Sequence, residues 1–263
     1  GRTVWQNAYG VGDWSSAVFD PIDWYFVPIG GFGAVRGSGP ELRVGLFAAP
    51  DDWLGGDASQ FFAMLRDFNR LEKYVARSDW EAGKALATTL QDNTLLREVV
   101  VSKVYLGKFY NYAGLCHFKL GYWPESINYW ERALQTLGGD FGVENQARLL
   151  SDLGVAYARE GRYEDALRVW QQSAALLPEY VDSYYNAAHV YVHNLRRFAA
   201  ALPLLQRIFV LEPDRVEAYL LAGIAYYQLG DFSRAATNWT QVLELAPGHP
   251  QAAEIRRLLS AED

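Results

Sequence analysis

Three segments of this chain close alike, on Ala175-Leu176-Leu177-Pro178, Val210-Leu211-Glu212-Pro213 and Glu244-Leu245-Ala246-Pro247. Their prolines fall at 178, 213 and 247, a step of 35 and then 34 residues. A fixed step of that size is the mark of a stacked-repeat architecture, in which each unit buries its apolar face only against its neighbours. Other positions recur in register. Upstream of Pro178 stand Leu153-Gly154, Tyr157, Gly161, Ala166 and Trp170; upstream of Pro247 stand Ala222-Gly223, Tyr226, Gly230, Ala235 and Trp239. The middle unit carries Ala187-Ala188, Tyr191, Phe198 and Ala201, with one extra residue at its turn.

Each recurring residue has a physical task in a helix hairpin. Glycine or alanine in mid-helix lets a second helix approach, and the aromatic fills the gap above it. Gly161 and Gly230 suit a helix end that needs a left-handed residue. Proline closes the second helix because it cannot sit inside the next one. These residues resemble the tetratricopeptide repeat (TPR), with its period of about 34. An earlier unit fits less closely, with Ala113-Gly114, His117, Gly121, Trp130 and Ala133. There Gly138 and Gly139 replace the proline, and a longer loop is expected around 138–146. A degenerate unit precedes it at Ser78-Asp79-Trp80-Glu81-Ala82-Gly83.

The resemblance implies an all-α fold: a right-handed α-solenoid of TPR hairpins with an irregular, β-containing, aromatic-rich amino-terminal arm. The expected division is a non-repeat arm over 1–57 and a solenoid over 58–249. Within the solenoid, units are expected at about 107–140, 147–180, 181–215 and 216–249. A capping helix with a wet face of Arg256, Arg257, Glu262 and Asp263 is expected over 250–263.

The arm is chemically distinct. The chain holds 9 Trp, 17 Tyr and 13 Phe, and the arm contributes Trp5, Trp14, Trp24, Tyr25 and Phe26 among them. Its short apolar runs, Trp24-Tyr25-Phe26-Val27 and Leu42-Arg43-Val44-Gly45-Leu46-Phe47, are bounded by Pro and Gly and read as strands or extended segments. A segment so rich in rings must bury them. It packs either on the first repeats as a cap or on another subunit or partner.

Formal net charge is -7, which lacks the basic footprint of a nucleic-acid binder. No apolar run reaches the ~18 residues of a membrane-spanning helix. The chain opens on Gly1 rather than Met, which favours an extracytoplasmic location over a cytoplasmic one.

Catalytic and metal signatures are weak. His189 and His193 stand four apart on one helix face, a chelating step, but the glutamate of a zinc-protease motif is missing and polar groove lining is the expectation. His117 takes the consensus tyrosine position and should be a packed core histidine, and His249 should be exposed. Gly30-Gly31-x-Gly33 and Gly37-x-Gly39 precede no GK[ST] and read as turns. Asp51, Asp52 and Asp57 read as acidic residues ahead of a helix. Cys116, the lone cysteine, reads as a buried thiol. No cofactor and no metal site is expected, and the chain is read as non-catalytic.

In the family the first helix of each hairpin lines a concave groove. Position by position, the resemblance gives Lys108, Asn111, Phe118 and Lys119, then Arg148, Ser151 and Arg159. It continues with Asp182, Tyr185, Asn186, His189 and His193, and ends with Glu217, Leu220, Tyr227 and Gln228. The first half is basic and the second mixed, which would suit an acidic or carboxylate-bearing peptide. Asn186 alone matches the residue set by which some relatives grip a chaperone carboxy-terminus, so that function is not carried over. The expected partner is a protein or peptide held in this groove. The alternative is a homo-oligomer or filament joined through the arm and the repeat ends.

Overall fold

The computed structural model describes residues 24–25, 34–36, 43–45, 58–91, 103–137 and 142–260. Two compact units divide the chain at residue 101.

The first unit contains three short strands, β1 (Trp24–Tyr25), β2 (Ala34–Arg36) and β3 (Arg43–Gly45). They form an antiparallel meander in which Tyr25 pairs with Val35 and Val35 with Val44. Two of the three coincide with the apolar runs expected to be extended. The glycine-rich turns at 30–33 and 37–39 and the acidic cluster at Asp51, Asp52 and Asp57 lie outside the described residues, as do Trp5, Trp14 and Phe26. Helices α1 (Ala58–Ala76) and α2 (Trp80–Gln91) follow and pack as a hairpin. The turn between them places Ser78 at φ 58°.

The second unit is a series of helix hairpins: α3 (Lys103–Lys119) with α4 (Trp123–Leu137), α5 (Val143–Arg159) with α6 (Tyr163–Leu176), α7 (Val181–His193) with α8 (Phe198–Leu211), and α9 (Val216–Gln228) with α10 (Phe232–Leu245). Helix α11 (Ala252–Ser260) packs on α10 and buries Ile255. The hairpins stack sequentially into an α-solenoid.

The interior of each hairpin turns on one pair of residues. Indole rings of Trp130, Trp170 and Trp239 lie directly over Gly114, Gly154 and Gly223. A methyl group at Gly114 would come 2.6 Å from the Trp130 ring. Two of these indoles also donate Nε1–H across the hairpin, Trp170 to the Ser151 carbonyl at 3.0 Å and Trp130 to the Asn111 carbonyl at 3.2 Å. The third hairpin solves the same packing problem differently, with Ala188 and Leu205, both buried. Where the first helices end, Gly121, Gly161 and Gly230 adopt φ of 83°, 76° and 79°. That conformation is nearly free for glycine and strained for residues with a Cβ. The third hairpin has no glycine at its turn, and Arg196 takes φ 53° there.

Neighbouring hairpins are tied by polar contacts through otherwise apolar cores. The Tyr157 hydroxyl donates to Glu131, while the Arg162 guanidinium lies 4.4 Å over the Tyr157 ring. Burial, with the Glu131 hydrogen bond second, pushes the Tyr157 phenol up to about 12. Ser183 donates to Ser173, which donates to the Ala147 carbonyl, both at 2.7 Å and both buried. Asn194 donates to the Tyr163 hydroxyl at 2.9 Å. The core runs without interruption from Ile127 to Val190, then from Val181 to Ala225. His117 is buried against Tyr129, with Nδ1 2.8 Å from the Ala113 carbonyl, as its place in the repeat implies. Cys116 is buried as well. His249 departs from expectation: it is half-buried, and its Nδ1 accepts the Gln251 backbone N–H at 3.2 Å, capping the approach to α11.

Candidate functional site

The first helices α5 and α7 present their polar faces side by side, and the side chains between them form a continuous cluster. Arg148, on the first turns of α5, is held by Glu144 at 2.9 Å and stacks 5.4 Å over the Tyr180 ring. One turn further along α5 lies Asp152. It stays exposed, yet the surrounding helices crowd its carboxyl, and that desolvation pushes it up to about 6. Lys119 and Arg148 pull in the opposite direction and Asp182 adds to the rise. Arg159, on the last turn of α5, is exposed and makes no ion pair among the described residues.

Helix α7 supplies a ladder one helical turn per rung. Tyr185, His189 and His193 stand with ring centroids 6.2 Å and 4.5 Å apart. Burial and then the neighbouring imidazole and Arg159 hold His189 below the usual histidine range, and burial does the same for His193. Arg215, just before α9, closes the far side: it bonds Asp182 at 2.9 Å, pairs with Glu212 at 2.9 Å and lies 4.8 Å over the Tyr185 ring. Burial, with Glu217 adding, raises the Tyr185 phenol.

The positions expected to line the groove separate into groups. Arg148, Arg159, Tyr185, His189 and His193 come together with Asp182 in this cluster, and Lys119 acts on it electrostatically from the end of α3. Asn186 is half-buried next to Tyr185 on α7. Lys108 and Asn111 lie half-buried on α3, apart from the cluster's contacts among the described residues. Ser151 is 2% exposed and faces the interior, where Trp170 donates to its carbonyl. Phe118 packs on Trp123 and Trp130, at 5.1 and 5.2 Å, inside its own hairpin. Tyr227 likewise turns to Phe232 and Trp239, at 5.3 and 5.5 Å.

Asp152, Tyr180 and Arg215 are the members that the sequence reading missed. Asp152 could have been found, since it stands one repeat of 34 residues before Asn186. Tyr180 and Arg215 lie in the connections between hairpins, where the repeat pattern assigns no role. Among the described residues, no group of three or more His, Cys, Asp or Glu is arranged to hold a metal. No helix among the described residues is long and apolar enough to cross a membrane.

Known proteins resemble parts of this chain in sequence, and solved structures resemble it in fold. The human protein O-mannosyl-transferase TMTC1 is 29% identical over 151 residues, 57% of this chain and 15% of its own length. The mouse peptidyl-prolyl cis-trans isomerase FKBP4 is 25% identical over 122 residues, 41% of this chain and 26% of its own. The chain thus spans only a minor part of the curated relatives it matches. Among solved structures, that of YrrB, a TPR protein with an unusual peptide-binding site, matches with a TM-score of 0.59 and 17% identity over 73% of this chain and 91% of that one. MamA matches with a TM-score of 0.59 and 16% identity over 73% and 94%. At such identities the likeness is one of fold. Stretches 105–179, 151–208 and 191–260 each match the tetratricopeptide repeat, and the chain belongs to that family.

Proposed function

We propose that this chain is a non-catalytic scaffold that holds a peptide or partner helix of another protein along the face built by its first helices. The observation that carries the reading is the polar and aromatic strip running from Arg148 and Arg159 on α5 to Tyr185, Asn186, His189 and His193 on α7. The strip combines an exposed guanidinium at Arg159, rings with partial exposure and polar groups on helices, which is the composition that anchors interfaces. Lys108, Asn111 and Lys119 extend the proposed surface towards the preceding hairpin. YrrB, by its description a peptide-binding TPR protein, offers a parallel in fold.

The test is to isolate native complexes with the unaltered chain and with a variant carrying Arg159→Ala and Tyr185→Ala. Loss of the bound protein from the variant, with circular dichroism unchanged, supports the groove. Unaltered capture places the partner elsewhere.

A second reading has its own observation. At the turn between α9 and α10, Tyr227, Leu229 and Phe232 are 37%, 47% and 49% exposed. This apolar edge could join copies of the chain end to end, with Trp5, Trp14, Trp24, Tyr25 and Phe26 of the arm as further anchors. Light scattering across concentration decides: a persistent monomer with residues 1–57 in place rules it out.

A further inference from the structure

We infer that the cleft between α6 and α8 receives a segment of a partner protein that carries an aromatic and a basic side chain about 10 Å apart. The inference is independent of the groove reading, because the cleft opens elsewhere on the solenoid. Tyr184, Ala187 and Tyr191 line it. At about 100° per residue they stand on the face of α7 opposite Tyr185, His189 and His193.

Contacts tie α6 and α8 together near both ends. Arg197, just before α8, pairs with Glu164 on the first turn of α6 at 2.8 Å. Arg207 of α8 donates to the Pro178 carbonyl, just beyond α6, at 3.2 Å. Between these ties lies a cleft of about 510 Å³, within the range of ligand sites. Small residues open it, with Ala174 from α6, Ala187 from α7 and Ala200 from α8 all among its lining.

The next junction of the solenoid shows what this cleft lacks. One repeat later Tyr219 stands where Tyr184 does, and each hydroxyl donates to the proline carbonyl that follows the preceding helix. Tyr184 bonds Pro178 at 3.0 Å and Tyr219 bonds Pro213 at 2.8 Å. Tyr219 is covered by Phe209, stacked at 4.4 Å and 18°. Ala174 occupies the place of Phe209 in the repeat, and among the described residues no ring covers Tyr184. Tyr226, the counterpart of Tyr191, is covered by the Arg234 guanidinium at 5.4 Å. Ala200 occupies the place of Arg234. In the hairpin before, Arg162 lies 4.4 Å over the corresponding Tyr157. Arg197, the counterpart of Arg162, pairs with Glu164 instead, and among the described residues no guanidinium lies over Tyr191.

Two ring faces that the chain covers for itself elsewhere are therefore left to an occupant. Tyr184 calls for an aromatic ring and Tyr191 for a cation. The charges agree. Of the two charged side chains in the lining, Arg168 is matched by Asp165 at 2.8 Å, whereas Glu164 meets Arg197 through Oε1 and keeps Oε2 open to a second cation. Tyr184 and Tyr191 are seven residues apart on α7, which is about 10 Å of helix and equals about three steps of an extended peptide.

The experiment uses the full chain and the capped tetrapeptides Phe-Ser-Ser-Arg and Arg-Ser-Ser-Phe, with 4-fluorophenylalanine as the ring and fluorine NMR as the readout. At least one of them should bind saturably at millimolar concentration. Exchanging its arginine for glutamine should weaken binding about threefold. Ala174→Phe should weaken it about tenfold or more without lowering the melting temperature, since the introduced ring stacks on Tyr184 as Phe209 does on Tyr219. Ala200→Arg, at an exposed position, should erase the preference for arginine over glutamine, and it decides the matter if Ala174→Phe unfolds. The pair Arg159→Ala, Tyr185→Ala should bind as the native chain does. No saturable binding of either peptide, no preference for arginine in the native chain, or equal binding by the native chain and both cleft variants overturns the inference. Loss of binding in the Arg159→Ala, Tyr185→Ala pair alone overturns it as well and leaves the groove reading standing.

Discussion

Replacing Gly154 with alanine would set a methyl group 2.6 Å from Cε2 and 2.8 Å from Cδ1 of the Trp170 indole. Carbon atoms pack at about 3.5–4.0 Å, so the ring must retreat by about 1 Å. Trp170 is 2% exposed and its Nε1–H is committed to the Ser151 carbonyl, so it has nowhere to go without cost. Overpacking of this kind costs about 1–3 kcal/mol. Alanine's better helix propensity returns up to about 1 kcal/mol, leaving a net loss of about 1 kcal/mol. Trp170→Leu alone should cost about 2–3 kcal/mol, below the 3–5 typical of truncation to alanine. The third hairpin shows that alanine and leucine are compatible when they occur together, at Ala188 and Leu205. The double variant Gly154→Ala, Trp170→Leu should therefore be more stable than the sum of the single losses by at least about 1 kcal/mol. Solenoids open locally, so the assay is hydrogen exchange read on peptides from α5 and α6. Losses that add to within about 0.5 kcal/mol, or a stabilised Gly154→Ala, would refute the pairing.

Three further expectations follow from the same geometry. Gly161 has φ 76° and no atom within 4 Å of a would-be Cβ, so the cost of substitution there is one of backbone alone; Gly161→Val should lose about 1–2 kcal/mol and Gly161→Asn clearly less, measured by thermal unfolding. Arg215→Lys should fail to restore what Arg215→Ala loses, since an ammonium cannot bond Asp182 and Glu212 through separate guanidinium nitrogens while lying flat over Tyr185; equal melting temperatures for native and lysine forms would contradict this. For Asp152 the folded carboxyl titrates at about 6 against an ordinary 3.8, so the folded state binds more protons between those values and stability falls as pH rises through the window. Asp152→Asn should lack that fall and exceed the native chain in urea midpoint at pH 7.5, with the gap closing by pH 4.

Periodic residues were legible because each serves a task that recurs in every hairpin. Gly154 beneath Trp170, Gly161 at its turn and Pro178 at the close of α6 can be read without a partner in view, as can the buried His117. What could not be read was set by neighbours that only packing brings together. Ser151 shares a helix face with Arg148, yet it is buried, with Trp170 donating to its carbonyl. Phe118 and Tyr227 fall on groove-facing positions by count, but both rings turn to the tryptophan of their own hairpin because indole surface is available there. Asp152 was overlooked for a different reason: an aspartate on a helix face is unremarkable until Lys119, Arg148 and Asp182 are seen around it. Its chemistry arises from stacking, which sequence spacing encodes only through the repeat length.

A coil wound from wire of uneven gauge bends at its thinnest turn. In this solenoid that turn is the third hairpin, where alanine against leucine replaces glycine against tryptophan and where Arg196 takes the left-handed conformation that glycine supplies in the hairpins on either side. Less interlocked surface resists its motion. The helix that rides on this softer turn is α7, bearing Tyr185, His189 and His193. Any flexing there would move Tyr185, His189 and His193 relative to Arg148 and Arg159 on α5. The face carried by α7 would then shift as a unit, leaving the tryptophan-over-glycine packing of the hairpins on either side intact.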